Sequence, residues 1–241
     1  MSAHTFSVFA ETQNWLEMNN IIFQAEPTVE STNDLAKEEA FPLSSSFKCY
    51  LADQQTQGRG RNTNTWLNPN PGHALMCTFS FALSGAPQPV VTALIGLRVY
   101  QALASNFKDL GFALKAPNDI FLDQKKICGI LIETVQMGAD FRFIIGLGLN
   151  VWSHPAQLTT SSHLAASTPI SIVEWNSFLK DLLSGLKGAA QDATRAALSA
   201  RERDDLLLAL NKNKDLPEAY VSISPFADLV GHKHTTSWRS L

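Results

Sequence analysis

Apolar and small or polar residues alternate through residues 73–83, where Leu75, Cys77, Phe79 and Phe81 interleave with Met76, Thr78, Ser80 and Ala82. A period of two puts the two sets on opposite faces of a strand. Between Pro89 and Phe107 the spacing changes. Val90, Val91, Leu94, Leu97, Val99, Leu103 and Ala104 recur mostly at helical intervals, which predicts a core helix. Shorter apolar runs predict strands at 20–25 and 47–52, and 141–151 reads as the last strand. Ser31 with Asp34 predicts a capped helix over 35–40. Near the C-terminus Trp175, Phe178, Leu179, Leu182, Leu183 and Leu186 form an apolar stripe, core or subunit contact, within one of two predicted helices, 172–193 and 198–211. Residues 1–19 show no strong period, and about twenty polar residues after position 55 form a loop long enough to act as a lid.

Composition adds exclusions. The 241 residues, 45% hydrophobic and 17% charged, fit a globular chain with a real core. A net charge of −3 disfavours long runs of nucleic-acid phosphate as a partner. The three cysteines, Cys49, Cys77 and Cys128, each sit in an apolar run and read as core residues in a reducing compartment. Without a visible signal peptide or a membrane-length apolar run, a cytoplasmic location is expected. His232 and His234 lack a third ligand nearby and read as exposed.

The candidate chemistry starts at Gly58-Arg59-Gly60-Arg61, directly after a predicted strand. Glycine lets successive N–H groups converge on an anion, and arginine offers a planar fork matched to carboxylate or phosphate. A solvated turn with two surface arginines is the plain alternative. Lys115-Ala116-Pro117-Asn118-Asp119 predicts a turn that clusters a cation, an amide and a carboxylate. Gly129, inside the apolar run opened by Lys126, suggests a close approach to the backbone. Gly146-Leu147-Gly148-Leu149-Asn150 again sets glycine and a polar side chain at a strand end.

Ser31-Thr32-Asn33, Gln55 with the Gly/Arg loop, Trp66, the Lys115–Asp119 turn, the run from Lys126 to Glu133 and the Gly146–Asn150 strand end occur in the order and spacing of biotin protein ligases. The resemblance covers residues 20–155. It implies an α/β (α+β) fold, class II synthetase-like, with a mixed, mainly antiparallel sheet flanked by helices. It implies that biotin and MgATP give biotinyl-5′-AMP, from which a lysine of a biotin carboxyl carrier protein takes the biotinyl group. By the same resemblance Lys126, Arg59 and Arg61 are catalytic, and Ser31, Thr32, Asn33, Gln55, Gly58, Gly60 and Gly129 join them in binding biotin. Arg61, Trp66, Lys115, Asn118, Asp119 and Asn150 are the implied ATP-binding set, and Asp119 the implied Mg²⁺ ligand.

The chain departs from the family pattern in three places. Asn62-Thr63-Asn64-Thr65 replaces further arginine and glycine in the loop, which predicts weaker retention of the adenylate. Ala116 stands where tryptophan is common. After a catalytic domain at 1–211, only 212–241 remains for the small barrel that usually follows, so that barrel is expected to be reduced or absent. No N-terminal DNA-binding domain, nucleic acid or membrane partner is expected, and the oligomer is left as monomer or homodimer. Lipoate–protein ligase and a non-catalytic biotin or adenylate sensor remain alternatives.

Overall fold

The computed structural model describes residues 5–42, 44–108 and 110–241. Residues 1–4 of the N-terminal stretch lie outside the described residues. A seven-stranded sheet runs in the order β1-β2-β3-β7-β6-β5-β4, formed by β1 Phe23–Val29, β2 Phe47–Gln55, β3 Ala74–Leu83, β4 Phe112–Lys115, β5 Asp119–Leu122, β6 Lys125–Met137 and β7 Asp140–Asn150. Within it only β1 with β2 is parallel; the other pairs are antiparallel. The mixed, mainly antiparallel sheet agrees with the expected fold class.

The alternation in β3 decides how the sheet is used. Leu75, Cys77, Phe79 and Phe81 enter the large core, which is roofed by α1 Val8–Met18, α3 Val90–Asn106 and α4 Ile172–Gln191. Met76, Thr78 and Ser80 face the other way and are also buried, because α2 Thr32–Glu38 packs across β2, β3 and β7 on that side. One face of the sheet is hydrocarbon; the other carries buried hydroxyls that need partners. Ser31 caps α2 by accepting from the Asp34 backbone N–H, as the sequence predicts. The stripe at Trp175 to Leu186 belongs to the core. So do the cysteines, whose thiols burial pushes up, that of Cys49 to about 12.

Two expectations need correction. Residues 8–18 are helical despite their weak pattern: the buried face is Val8, Thr12, Trp15 and Leu16, and Thr12 interrupts its apolar period while accepting a hydrogen bond from Trp175 Nε1 at 3.2 Å. Nor is the strand at 140–150 the last. Beyond α5 Ala200–Asn211, β8 Ser222–Ile223, β9 Asp228–Val230 and β10 Thr235–Ser237 form a small antiparallel sheet. Trp238, buried, follows it and packs near Gly96 of α3. His234 is exposed, with Nε2 3.7 Å from Glu218 Oε1. No helix among the described residues is long and apolar enough to cross a membrane.

Candidate active site

The α2 side of the sheet holds a cavity of about 220 Å³. Its polar end comes from the N-terminus of α2 and the end of β2: Ser31, Thr32, Asn33 and Gln55 all line it. At Gln55, Oε1 accepts from the Thr32 backbone N–H at 2.8 Å. Asn33 lies so close to Gly146 that a Cβ there would collide with its amide. The hydrogen-bonding groups of Asn33 are engaged by Thr78, Glu133 and the Leu131 carbonyl. Asn33 is therefore part of the wall and supports its neighbours rather than offering a free hydrogen bond.

The Gly/Arg loop folds over this end as a short hairpin. Gly60 N–H donates to the Asn64 carbonyl at 2.8 Å and Trp66 N–H to the Gly58 carbonyl at 2.9 Å. Asn68 pins its outgoing end, accepting from Gln55 N–H and donating to the Gln55 carbonyl. The two arginines separate in role. Arg59 Nη2 is clamped between Asp34 Oδ1 at 2.9 Å and Glu133 Oε2 at 2.6 Å. Arg61 lines the cavity with no ion pair or hydrogen bond to its side chain among the described residues, so its guanidinium is available to an anion. Gly58 stays outside the lining; a Cβ there would meet the Trp66 carbonyl oxygen at 2.7 Å, so its contribution is to the loop's packing.

Trp66 lies flat on the sheet where two glycines, Gly129 of β6 and Gly148 of β7, are direct partners. Together they leave the slot that its ring occupies. Gly129 also receives the stem of Lys126, whose Cε would be 3.4 Å from a Cβ added at 129. The close approach expected at Gly129 falls instead on its partner: a Cβ at 129 would meet only ordinary contacts of 3.4–3.5 Å, whereas one at 148 would stand 2.7 Å from the indole. At the far end Lys126 Nζ is 2.8 Å from Asp119 Oδ1, as an ion pair off the direction of a hydrogen bond, since that oxygen has no hydrogen-bond partner among the described residues. Asn118 stands beside them and donates Nδ2 to the Ile130 carbonyl at 2.8 Å. The segment at 160–162 brackets Lys126: its N–H donates to the Thr160 carbonyl and its carbonyl accepts from Ser162 N–H.

Two expected ATP-site residues are not brought into the cavity. Lys115 is opposite Asp119 in the β4–β5 hairpin, but its Nζ rests over the Phe121 ring at 4.9 Å. Asn150 is buried, and its Nδ2 donates to the Ser162 carbonyl at 3.1 Å, tying down the segment that brackets Lys126. Sequence reasoning left Glu133 and Thr78 without roles. A carboxylate in an otherwise apolar strand run needs cations, and hydroxyls on one face of a central strand need acceptors; those were the available signals. Leu241 also lines the cavity.

Glu133 receives Asn33 Nδ2, Lys37 Nζ and Arg59 Nη2. Burial alone would raise its carboxyl, but these hydrogen bonds and the Arg59 charge together hold it below the ordinary value of 4.5. A folded value below the unfolded one stabilises the protein at pH above 4.5 and loses that effect as pH falls through the folded value. The stability difference between wild type and Glu133→Gln is expected to be full at neutral pH and to shrink below pH 4.5, in urea titrations at a series of pH values. A gap that is constant through that range contradicts this.

Residues 26–150 match the model of the biotin/lipoate A/B protein ligase family. The human protein named biotin–protein ligase is 35% identical over 112 residues, 42% of this chain and 15% of its own length. The bifunctional ligase/repressor BirA of Escherichia coli is 30% identical over 128 residues, 52% of this chain and 39% of that protein. The chain thus spans less than half the length of these relatives. The biotin protein ligase from Aquifex aeolicus, solved with biotin and ATP, superposes with a TM-score of 0.64 at 23% identity, covering 89% of this chain and 94% of that one. The biotin acetyl coenzyme A carboxylase synthetase from Helicobacter pylori gives 0.62 at 18% identity, over 90% and 99%. These two likenesses establish a shared fold, and the family match takes in more than half of the chain: it belongs to the biotin/lipoate A/B protein ligase family.

Proposed function

We propose that this protein is an ATP-dependent biotin–protein ligase. The biotin carboxylate attacks the α-phosphate of ATP, giving biotinyl-5′-AMP and pyrophosphate; a lysine amine of a carrier domain then attacks the acyl carbon and AMP leaves. One observation supports this most: a single cavity joins a hydrogen-bonding end at Ser31, Thr32 and Gln55 to a charged end at Arg61, Asn118, Asp119 and Lys126, with Trp66 lying between. A cyclic urea suits the first end and an acyl phosphate the second. The names of the relatives point the same way.

The first step brings two anions together. At ~4 Å and an effective dielectric near 20 their repulsion is about 4 kcal/mol. Lys126 and Arg61 supply fixed cations where that charge concentrates, and catalysis is positioning plus electrostatic stabilisation without an enzyme nucleophile. Mg²⁺ prefers oxygen ligands and keeps substrate phosphates and waters in its shell, so one carboxylate suffices to anchor it. Asp119, whose Oδ1 is buried without a hydrogen-bond partner among the described residues, would be that carboxylate, and bound Mg²⁺ would offset phosphate charge. Arg59 acts through the loop it clamps, and Gly58 and Asn150 act from behind the cavity wall. Lys115, exposed on the hairpin, is the residue for which the structure offers least support.

A reducing cytoplasm is the compartment in which three buried free thiols and an ATP-consuming ligase belong together. The test is ATP-dependent transfer of labelled biotin to a biotin carboxyl carrier domain, with excess unlabelled lipoate as competitor. Transfer that lipoate leaves unchanged is the expected result. Tight biotin binding without transfer overturns the ligase reading in favour of a sensor, and suppression by lipoate overturns the choice of substrate.

A further inference from the structure

The polar end of the cavity is backed by one chain of hydrogen bonds. Arg59 Nη2 donates to Glu133 Oε2 at 2.6 Å, and Asn33 Nδ2 donates to the same oxygen at 2.8 Å. Thr78 Oγ1 donates to Asn33 Oδ1 at 2.6 Å. Thr32 Oγ1 lies 2.8 Å from Thr78 Oγ1 and 3.2 Å from Gln55 Oε1. Thr78 and Asn33 are buried, so water does not compete for these links.

Each link has a direction. An ionised carboxylate only accepts, so Asn33 turns its NH₂ to Glu133 and its carbonyl to Thr78. Thr78 has one proton and donates it to that carbonyl, which leaves only a lone pair for Thr32. The Thr32 proton is thereby drawn into the chain, toward Thr78 or Gln55, and its lone pairs are left for the cavity. At Gln55 the Thr32 backbone N–H fixes Oε1 inward, and Nε2 remains a donor.

We propose that Glu133 is a positioning residue that sets the hydrogen-bond polarity of this end, so that Thr32 presents an acceptor beside the Gln55 donor. This pairing fits a cyclic urea, which places an N–H next to a carbonyl, and rejects a ring of the same shape carrying oxygen in place of that N–H. The inference rests on the biotin reading above. With glutamine at 133 the far end can donate as well as accept; the Asn33 amide is then held in its orientation only by the 3.4 Å bond from Nδ2 to the Leu131 carbonyl, and when it turns over Thr78 can donate to Thr32, whose proton is left to the cavity or to the longer 3.2 Å contact with Gln55 Oε1.

The test is calorimetric titration of biotin and of its two cyclic carbamate analogues, in which oxygen replaces one or the other ureido N–H. Wild type is expected to bind at least one carbamate about tenfold or more weakly than biotin, because a lone pair would face a lone pair. Glu133→Gln is expected to narrow that ratio to about threefold or less. Thr78→Val interrupts the same chain one link on and carries the test should Glu133→Gln not fold. Lys37→Met removes a cation from the other oxygen of Glu133 and leaves the Asn33 link, so it is expected to keep the wild-type ratio. A wild-type ratio in both folded chain variants, or a ratio narrowed equally by Lys37→Met, overturns the proposal. Failure of wild type to bind biotin at all overturns the substrate reading instead, and this inference with it.

Discussion

Replacing Lys126 with methionine is expected to slow formation of the biotinyl adenylate by about 10³-fold, the size of effect seen when one preorganised donor to a developing charge is removed. Methionine keeps much of the stem that lies along Gly129 and removes the ammonium. Two consequences add. The reacting carboxylate and phosphate lose a fixed cation, and Asp119, whose Oδ1 is 2.8 Å from that ammonium, becomes a further uncompensated negative charge at the same place. Exchange of labelled pyrophosphate into ATP, dependent on biotin, isolates this step from transfer to the carrier. Biotin affinity is expected to fall much less, since the polar end at Ser31, Thr32 and Gln55 is built from other elements. If the exchange rate stays within tenfold of wild type, Lys126 is not the cation on which the step depends.

Much of this arrangement was legible in the chain because two kinds of pattern survive folding unchanged. The period of two in β3 put Leu75, Cys77, Phe79 and Phe81 on one face and Thr78 and Ser80 on the other, and the structure turns the first set into the large core. Ser31 and the Gly/Arg loop carried local backbone requirements that any fold must meet, and both line or cover the cavity. What was not legible depended on partners distant in sequence. The polar Thr12 made α1 look aperiodic until Trp175, 163 residues away, supplied its hydrogen bond. Lys115 sits next to Asn118 and Asp119 in the chain, but its long stem settles on Phe121. Proximity in sequence fixed the turn and left the direction of the side chain open. Arg59 and Arg61 looked equivalent as a repeated pair; only Asp34 and Glu133, brought in by α2 and β6, divide them into a clamped arginine and an available one. Glu133 itself was visible as an anomaly, a carboxylate in an apolar strand, without any indication that it would hold Asn33.

Gly148→Ala is a substitution expected to damage the cavity without touching a charged group. A Cβ at 148 would stand 2.7 Å from Trp66 Cε2 and Cζ2 and 2.8 Å from Cη2, closer than real carbons pack, so either the strand or the ring must move. The strand is poorly placed to yield: Gly148 is paired with Met76 on one side and Gly129 on the other, in the middle of the sheet. The indole therefore moves, and the hairpin that carries it is itself tied at Gly58 and at Gln55 with Asn68. Overpacking of this kind typically costs about 1–3 kcal/mol, and most of it falls on the loop and the slot it closes. A loss of biotin affinity of about 30-fold is expected, with the global unfolding midpoint reduced only slightly. Gly188→Ala in α4 is the matched control. Nothing lies within 4 Å of its added Cβ, so alanine there relieves a helical glycine, with a gain of about 0.5–1 kcal/mol in stability and no change in binding. Biotin titration and urea denaturation of the three proteins decide the matter. Wild-type affinity in Gly148→Ala means that Trp66 does not need the glycine slot to form the biotin site; equal losses of binding and of global stability mean that the sheet, not the loop, takes up the strain.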